Sequence, residues 1–213
     1  MTLKGIMFDL DGTLAETLPV CLTALRRTFL AYFGDEWSDE RLLSCFGPTE
    51  EGVVKKLLPD KFLECLELYY DEYIRTHDLC LKPFPGMKDA LDLLKQDNIL
   101  MAIVTAKGAK TAQISLERLS LSSYFPIVEP GFEDASNKPA SISKVLDVWG
   151  VDAGKIAYLG DRRSDIRAAR ETGLIPLAAA WSKYADVNLL KNENPDAVFS
   201  TVQEFIAWIG SVG

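Results

Sequence analysis

The hydrophobic pattern divides the chain into two unlike parts. Residues 3–8 form a short, nearly continuous apolar run that ends at Asp9, which predicts a buried parallel strand. Over residues 17–77 the apolar positions recur at helical spacing, and Gly34 and Pro59 separate the segments. This second stretch therefore predicts helices only.

Beyond Pro83 the pattern alternates between helices and strands. Helices are predicted at residues 86–97, 109–119, 139–149, 164–172 and 201–209. Strands are predicted at residues 99–104, near 127–128, and at 155–159, 174–179 and 196–199. Strands that alternate with helices of this length indicate right-handed βαβ units, and so an α/β fold with a doubly wound parallel sheet.

The first strand stands alone before the helical stretch, which predicts an insertion. Residues 1–14 and 84–213 would form the α/β core domain, and residues 15–83 an inserted α-helical cap domain. Both units have sizes that are normal for domains.

Composition and charge exclude several classes of protein. Hydrophobic residues make up 48% and charged residues 25% of the 213 residues, which is typical of a folded globular chain. The formal net charge is −8 and no stretch concentrates Lys and Arg, so we expect neither nucleic acid nor a membrane as a partner. The N-terminal residues lack signal-peptide features, and no apolar run approaches the roughly 20 residues of a membrane span, so we expect a cytoplasmic protein. The four cysteines lack C-x-x-C spacing and are expected to be buried free thiols.

Polar side chains follow the predicted strands at the points where the strands end. Ligands of an open parallel sheet bind beyond the carboxyl ends of its strands, so these loops are expected to converge on one rim. The residues concerned are Asp9, Asp11, Thr13, Thr105, Lys107, Asp161 and Asp165, with Lys138 at the start of a helix.

Asp9 and Asp11 are the first chemical signal on this rim. Alternate side chains of an extended chain share a face, so both carboxylates are expected to point into one pocket. Carboxylates packed this closely need a cation, and hard oxygen ligands with an incomplete protein shell suit Mg²⁺. One aspartate is then suited to attack on phosphorus and the other to proton transfer. Gly12 permits a sharp turn, and Thr13 is expected to hold Asp11 by a hydrogen bond.

The rim residues together carry a family resemblance. The series Asp9-x-Asp11-Gly12-Thr13, Thr105, Lys138 and Gly160-Asp161-x-x-x-Asp165 resembles the four motifs of the haloacid dehalogenase superfamily of phosphatases. The helical insertion after the first motif resembles the capped branch that includes phosphoglycolate phosphatase and β-phosphoglucomutase.

The resemblance implies a role for each motif residue. Asp9 would be the nucleophile that becomes phosphorylated, and Asp11 would protonate the leaving group and then activate water. Thr105 and Lys138 would bind the phosphoryl oxygens. The implied Mg²⁺ ligands are Asp9, the carbonyl of Asp11, Asp161 and, in support, Asp165.

The second motif departs from the family pattern. Ala106 contributes no polar side chain at its position, and Lys107 either supplies a charge there or is a solvated residue at the start of a helix. Both residues stay candidates for phosphate binding. Arg162 also departs from the usual small residue within the fourth motif, and we expect it at the surface.

The helical stretch supplies the candidates for substrate choice. The segment Phe46-Gly47-Pro48-Thr49-Glu50 resembles the specificity loop of capped relatives. Thr49 is predicted to bind substrate, and the other candidates are Glu50, Arg41 and Lys56. Glu16 and Thr17 are candidate hinge residues. His77 is expected at the surface.

Three functions remain open on the sequence alone. Asp11 favours phosphoryl transfer over dehalogenation, because a leaving alkoxide needs a proton and a leaving halide does not. The first function is a Mg²⁺-dependent phosphatase of a small phosphorylated metabolite, acting as a monomer or a homodimer. The alternatives are a phosphomutase of the β-phosphoglucomutase type and a non-catalytic regulatory protein.

Overall fold

A parallel sheet forms the centre of the computed structural model, which describes residues 3–46, 49–134 and 137–212. Its six strands are β1 (Gly5–Phe8), β2 (Leu100–Val104), β3 (Ile127–Glu129), β4 (Ile156–Gly160), β5 (Ile175–Ala179) and β6 (Ala197–Phe199). Their order across the sheet is β3-β2-β1-β4-β5-β6. β1 therefore lies between β2 and β4, and all the pairings are parallel. The predicted α/β class with a parallel sheet is confirmed.

The described helices fall into two groups around this sheet. α1 (Leu18–Phe33), α2 (Asp39–Leu43), α3 (Glu50–Leu57) and α4 (Phe62–Thr76) follow β1 without any intervening strand. The others are α5 (Met87–Gln96), α6 (Ala109–Arg118), α7 (Lys138–Trp149), α8 (Arg163–Glu171), α9 (Val187–Asn192) and α10 (Val202–Val212). Short 3₁₀ turns lie at Pro59–Lys61, His77–Leu79, Ser122–Tyr124 and Ala153–Lys155. None of the described helices is both long and apolar enough to cross a membrane.

Burial of the central strands explains why the polar residues collect at their ends. Every residue of β1 and β4 is buried, as expected for strands covered on both faces. The ring of Phe8 meets those of Phe125 and Phe205 edge-on, with centroids 5.7 and 6.3 Å away. The side chains of these strands are therefore buried in the core, and polar side chains can reach a ligand only beyond the strand ends.

Helices α1–α4 are joined to the sheet through two neighbouring segments. The chain leaves β1 through residues 9–17 and returns through residues 80–84, where Phe84 N–H donates to the carbonyl of Leu14 over 3.0 Å. The division into a core of 1–14 and 84–213 and a cap of 15–83 stays a prediction, which these paired crossings support.

Candidate active site

One cleft collects most of the predicted site residues. It has a volume of about 630 Å³ and lies between the carboxyl ends of the strands and helices α1–α3. Asp165 is fully buried and does not line the cleft. The predicted residues that line the cleft are Asp9, Asp11, Gly12, Glu16, Thr49, Glu50, Thr105, Ala106, Lys107, Lys138, Asp161 and Arg162.

Three buried aspartates form a compact acidic group at one end of the cleft. Asp9, Asp161 and Asp165 each place a carboxylate oxygen within 4.8 Å of the others. Asp165 is satisfied, because it accepts hydrogen bonds from Arg162 N–H (2.9 Å) and from Lys138. By contrast, Oδ1 of Asp161 has no partner among the described residues. Oδ1 of Asp9 and Oδ2 of Asp161 each lie near one cation, Lys138 at 3.1 Å and Arg162 at 3.3 Å, but make no well-aligned hydrogen bond.

The burial and mutual repulsion of these three carboxylates favour a bound cation. Burial and the neighbouring carboxylates raise the pKa of Asp161 well above its usual value. Burial also raises the pKa of Asp9, although the charge of Lys138 opposes the rise. Buried carboxylate oxygens without donors are costly unless a metal takes the place of the missing donors. The oxygen-only donor set fits Mg²⁺, with Asp9 and Asp161 free to bind and Asp165 held in support.

Two glycines make room for the acidic group. Gly12 has φ +78°, and a Cβ there would overlap Oδ2 of Asp161. A Cβ on Gly160 would overlap the side chain of Asp165. Both glycines therefore allow the backbone to approach a carboxylate more closely than any other residue type would permit.

We expect Mg²⁺ to raise the melting temperature of this protein. A cation held by Asp9 and Asp161 relieves their repulsion in the folded state only, so binding stabilises that state. At a hundredfold excess over the dissociation constant the gain is about 2.7 kcal/mol, or roughly 5–10 °C for a chain of this size. Thermal melts with Mg²⁺ and with EDTA at equal ionic strength measure this shift without any substrate.

Variants make this melting experiment specific. Asp161→Asn removes one ligand and is expected to abolish most of the shift, whereas Asp71→Asn at an exposed site on α4 should keep it. A shift of full size in Asp161→Asn would place the cation elsewhere.

Lys138 contacts two of the three aspartates in the acidic group. It is the first residue of α7, where the side chain of the N-cap residue Asn137 accepts from Ala140 N–H. Its Nζ lies 3.1 Å from Oδ1 of Asp9 and donates to Asp165. Burial would lower the pKa of Lys138, but Asp165 and Asp9 raise it well above the usual value. The lysine is therefore a fixed cation beside the predicted nucleophile.

The side chain of Asp11 belongs to a second, separate cluster. Its carboxylate lies 3.3 Å from Nζ of Lys107 and accepts a hydrogen bond from Thr17. This orientation keeps the carboxylate out of the group formed by Asp9, Asp161 and Asp165, so only the carbonyl of Asp11 remains as its predicted metal ligand. The expectation that Thr13 holds Asp11 is wrong, because the buried Thr13 hydroxyl makes no hydrogen bond to any residue that the structure describes.

Thr17 contacts the side chain of Asp11 instead of capping helix α1. It occupies the N-cap of α1, yet its side chain makes no capping hydrogen bond. The hydroxyl instead donates to Asp11. Its neighbour Glu16 accepts from the hydroxyl of Ser182, a cleft residue in the loop after β5 that was not predicted from the sequence. The same strand-end rule that located Asp9 would have located Ser182.

The second motif and the helical side complete the cleft. Thr105, buried just beyond β2, accepts from Lys107 N–H at 3.3 Å, and Ala106 is exposed to the cleft. Thr49 is buried as the N-cap of α3, where its hydroxyl accepts from Gly52 N–H. Lys107 is buried, not solvated. Within the predicted specificity loop, residues 47 and 48 lie outside the described residues.

Three charged candidates lie outside the cleft or at its rim. Arg41 is exposed, pairs with Asp35 and stacks over the ring of Trp37 at 3.5 Å. Lys56 is exposed as well and does not line the cleft. Arg162 is half exposed and places Nε 3.3 Å from Asp161 at the rim. Arg41 and Lys56 are therefore not in position to meet a substrate in the cleft.

The prediction that His77 lies at the surface is wrong. The residue is only 1% exposed, and its Nε2 lies 3.2 Å from the hydroxyl of Ser115 on α6. The cysteines behave as expected, since Cys21, Cys65 and Cys80 are buried free thiols and Cys45 is a half-buried one.

The family assignment follows from comparison with known proteins. The chain is a hydrolase of the haloacid dehalogenase-like family, whose model matches residues 6–179. A pyrophosphatase PpaX from Oceanobacillus iheyensis is 28% identical over 212 residues, covering 99% of this chain and 98% of that protein. A phosphoglycolate phosphatase from Aquifex aeolicus is 27% identical over 207 residues, covering 96% of this chain and 95% of that protein.

Solved structures show the same fold. A haloacid dehalogenase-like hydrolase, SP0104 from Streptococcus pneumoniae, has a TM-score of 0.78 at 25% identity and covers 97% of this chain and 98% of that one. A putative β-phosphoglucomutase from Thermotoga maritima has a TM-score of 0.77 at 23% identity, covering 99% of this chain and 100% of that one. At that identity the second likeness concerns the fold alone.

Proposed function

We propose that this hydrolase is a Mg²⁺-dependent phosphatase that hydrolyses small phosphomonoesters through an aspartyl-phosphate on Asp9. The proposal depends above all on the two aspartates of the first motif, which pair with different lysines. Asp9 lies 3.1 Å from Lys138, and Asp11 lies 3.3 Å from Lys107. Carboxylates in separate surroundings suit separate chemical roles. The relatives named phosphoglycolate phosphatase and pyrophosphatase support phosphoryl transfer to water.

In the first step, a carboxylate oxygen of Asp9 attacks phosphorus and the bond from phosphorus to the leaving oxygen breaks. Asp11 in its acid form donates a proton to that oxygen. Burial raises the pKa of Asp11, and Lys107 and Thr17 offset only part of the rise, which favours the acid form. Lys138 and Thr105 hold the phosphoryl oxygens from the sheet side.

In the second step, a water oxygen attacks phosphorus and the bond from phosphorus to Asp9 breaks. Asp11, now a carboxylate, accepts the proton of the water, so both aspartates return to their starting forms and orthophosphate leaves. Asp9, Asp161 and the Asp11 carbonyl would hold Mg²⁺, which would supply positive charge to neutralise the phosphoryl oxygens. Helices α1–α3 border the cleft and limit the water that reaches the reacting atoms.

The buried charges weigh against a non-catalytic protein. A fold kept only for binding gains nothing from burying Asp9, Asp161 and Asp165 within 4.8 Å of one another, because crowded buried carboxylates destabilise the folded state. The phosphomutase alternative would need space and charge for a second phosphate group, and no contact of the described residues favours it.

We expect Mg²⁺-dependent release of orthophosphate from p-nitrophenyl phosphate and from small alkyl phosphates, and loss of that release with EDTA. A hexose phosphate should give orthophosphate in amounts equal to the ester consumed, without an isomer. Orthophosphate and the sugar phosphates are measured in the same samples. Failure to hydrolyse any phosphomonoester with Mg²⁺ would contradict the phosphatase, and an isomer formed without orthophosphate would indicate a mutase.

A further inference from the structure

Glu50 extends a carboxylate from α3 to the edge of the sheet. The residue is only 2% exposed. Its Oε2 accepts from Gly108 N–H at 2.8 Å, and its Oε1 accepts from the Thr111 hydroxyl at 3.1 Å. Nζ of Lys107 lies 3.2 Å from the same Oε1. The carboxylate is thus held by two groups at the start of α6 and by a lysine that also contacts Asp11.

The groups that hold Glu50 are those that bind anions in proteins. Gly108 is the N-cap of α6, and a backbone N–H at a helix N-terminus attracts negative charge. Lys107 adds a buried cation. Burial would raise the pKa of Glu50, but Lys107 and the Gly108 N–H outweigh burial and keep it below the usual value. The chain therefore fills its own anion-binding position with a charged carboxylate.

The other cations of the cleft are also matched. Lys138 faces Asp9 and Asp165, and Arg162 faces Asp161 at 3.3 Å. Lys107 is shared between Asp11 and Glu50. Of the other described cations that line the cleft, Lys138 would bind the phosphoryl group and Arg162 is half exposed at the rim beside Asp161. Lys107 is therefore the remaining buried cation that a second negative group on the substrate could meet, and Glu50 already pairs with it.

On the basis of the proposed function, we infer that Glu50 is a specificity residue that selects phosphomonoesters whose leaving group carries no negative charge. A carboxylate or phosphate on the leaving group would have to displace Glu50 from Lys107 and Gly108 or lie beside it in a cleft already rich in carboxylates. Both arrangements are unfavourable. An alcohol or amide group meets no such repulsion.

A pair of matched substrates tests this selection. Phosphoglycolate carries a carboxylate on its leaving group, and phosphoglycolamide is its uncharged counterpart of nearly equal size. We expect kcat/KM of the wild-type enzyme at saturating Mg²⁺ to be at least about tenfold higher for the amide, as like-charge repulsion demands. If neither ester is turned over, their inhibition constants against p-nitrophenyl phosphate give the same comparison.

Two variants separate the charge of Glu50 from general effects of a Glu-to-Gln change. Glu50→Gln keeps the shape and frees the charge of Lys107, so the preference for the amide should fall by at least about tenfold. Glu133→Gln is the control, because Glu133 also pairs with a lysine of α3, Lys55 at 2.7 Å, but lies outside the cleft. Its preference should match that of the wild type.

The outcomes distinguish this inference from the proposed function. Equal constants for the two esters in the wild type, or a preference for the acid, would overturn the inference even if Glu50→Gln failed to fold. An unchanged preference in a folded Glu50→Gln protein would overturn it as well. Failure of p-nitrophenyl phosphate hydrolysis with Mg²⁺ would instead contradict the phosphatase itself.

Discussion

Asp9→Asn should lower phosphatase turnover by at least about 10³-fold, because an amide oxygen is a far poorer nucleophile than a carboxylate. The substitution keeps the size of the side chain and its place beside Lys138. It also removes one of the three charges that crowd the acidic group, so the fold should be retained. Release of p-nitrophenol with Mg²⁺ measures turnover, and circular dichroism checks the fold.

The control for Asp9→Asn is Asp71→Asn, which makes the same chemical change at an exposed position on α4 and should retain full activity. Intact-mass analysis during turnover adds an independent readout, since a phosphoryl group should appear on the wild type and not on Asp9→Asn. Retention of more than about a tenth of the activity would remove Asp9 as the nucleophile, because loss of the attacking atom leaves only weak residual catalysis.

The fold could be predicted from the sequence because the hydrophobic patterns of its central strands are local. β1 and β4 are buried throughout, and each appears in the sequence as an apolar run that ends at a polar residue. α9 was not predicted, since it has only six residues and a single buried one, Leu190, too few to show a helical period.

The residues on the sheet side of the cleft could also be predicted from the sequence. Asp9, Thr105 and Asp161 follow separate strands, and a parallel sheet brings the carboxyl ends of its strands to one rim. Their convergence therefore needs only the element order and not the details of packing.

The helical half of the site depends on packing that no local pattern records. Lys107, Glu50 and His77 are buried because α4 packs against α6 and because Glu50, at the start of α3, contacts the start of α6, which lies far from both helices in sequence. The same packing explains why His77, on a polar stretch of sequence, lies inside the protein. The partner of Asp11 likewise depends on the turn at Gly12. After this turn the Thr13 hydroxyl is buried with no hydrogen-bond partner in the described part of the chain, and it is Thr17 that donates to Asp11.

Asp11→Asn should separate the two chemical steps. An amide can neither donate the proton to the leaving oxygen nor accept one from water, so steady-state turnover should fall by about 10²–10⁴-fold. The first step needs little help from an acid when p-nitrophenolate leaves, because this anion is stable without a proton. We therefore expect a burst of about one p-nitrophenol per active site, followed by slow turnover, and no burst with an alkyl phosphate.

The burst and the mass of the protein together test the assignment of Asp11. Its carboxylate has two protein partners, Lys107 and Thr17, and asparagine can keep the contact with the Thr17 hydroxyl, so the cleft should hold its shape. Phosphorylated enzyme should accumulate in Asp11→Asn with p-nitrophenyl phosphate, because its breakdown is the step that lacks a base. A folded variant that shows neither burst nor accumulated phosphoenzyme, or that hydrolyses the alkyl ester at the wild-type rate, would assign proton transfer to another residue.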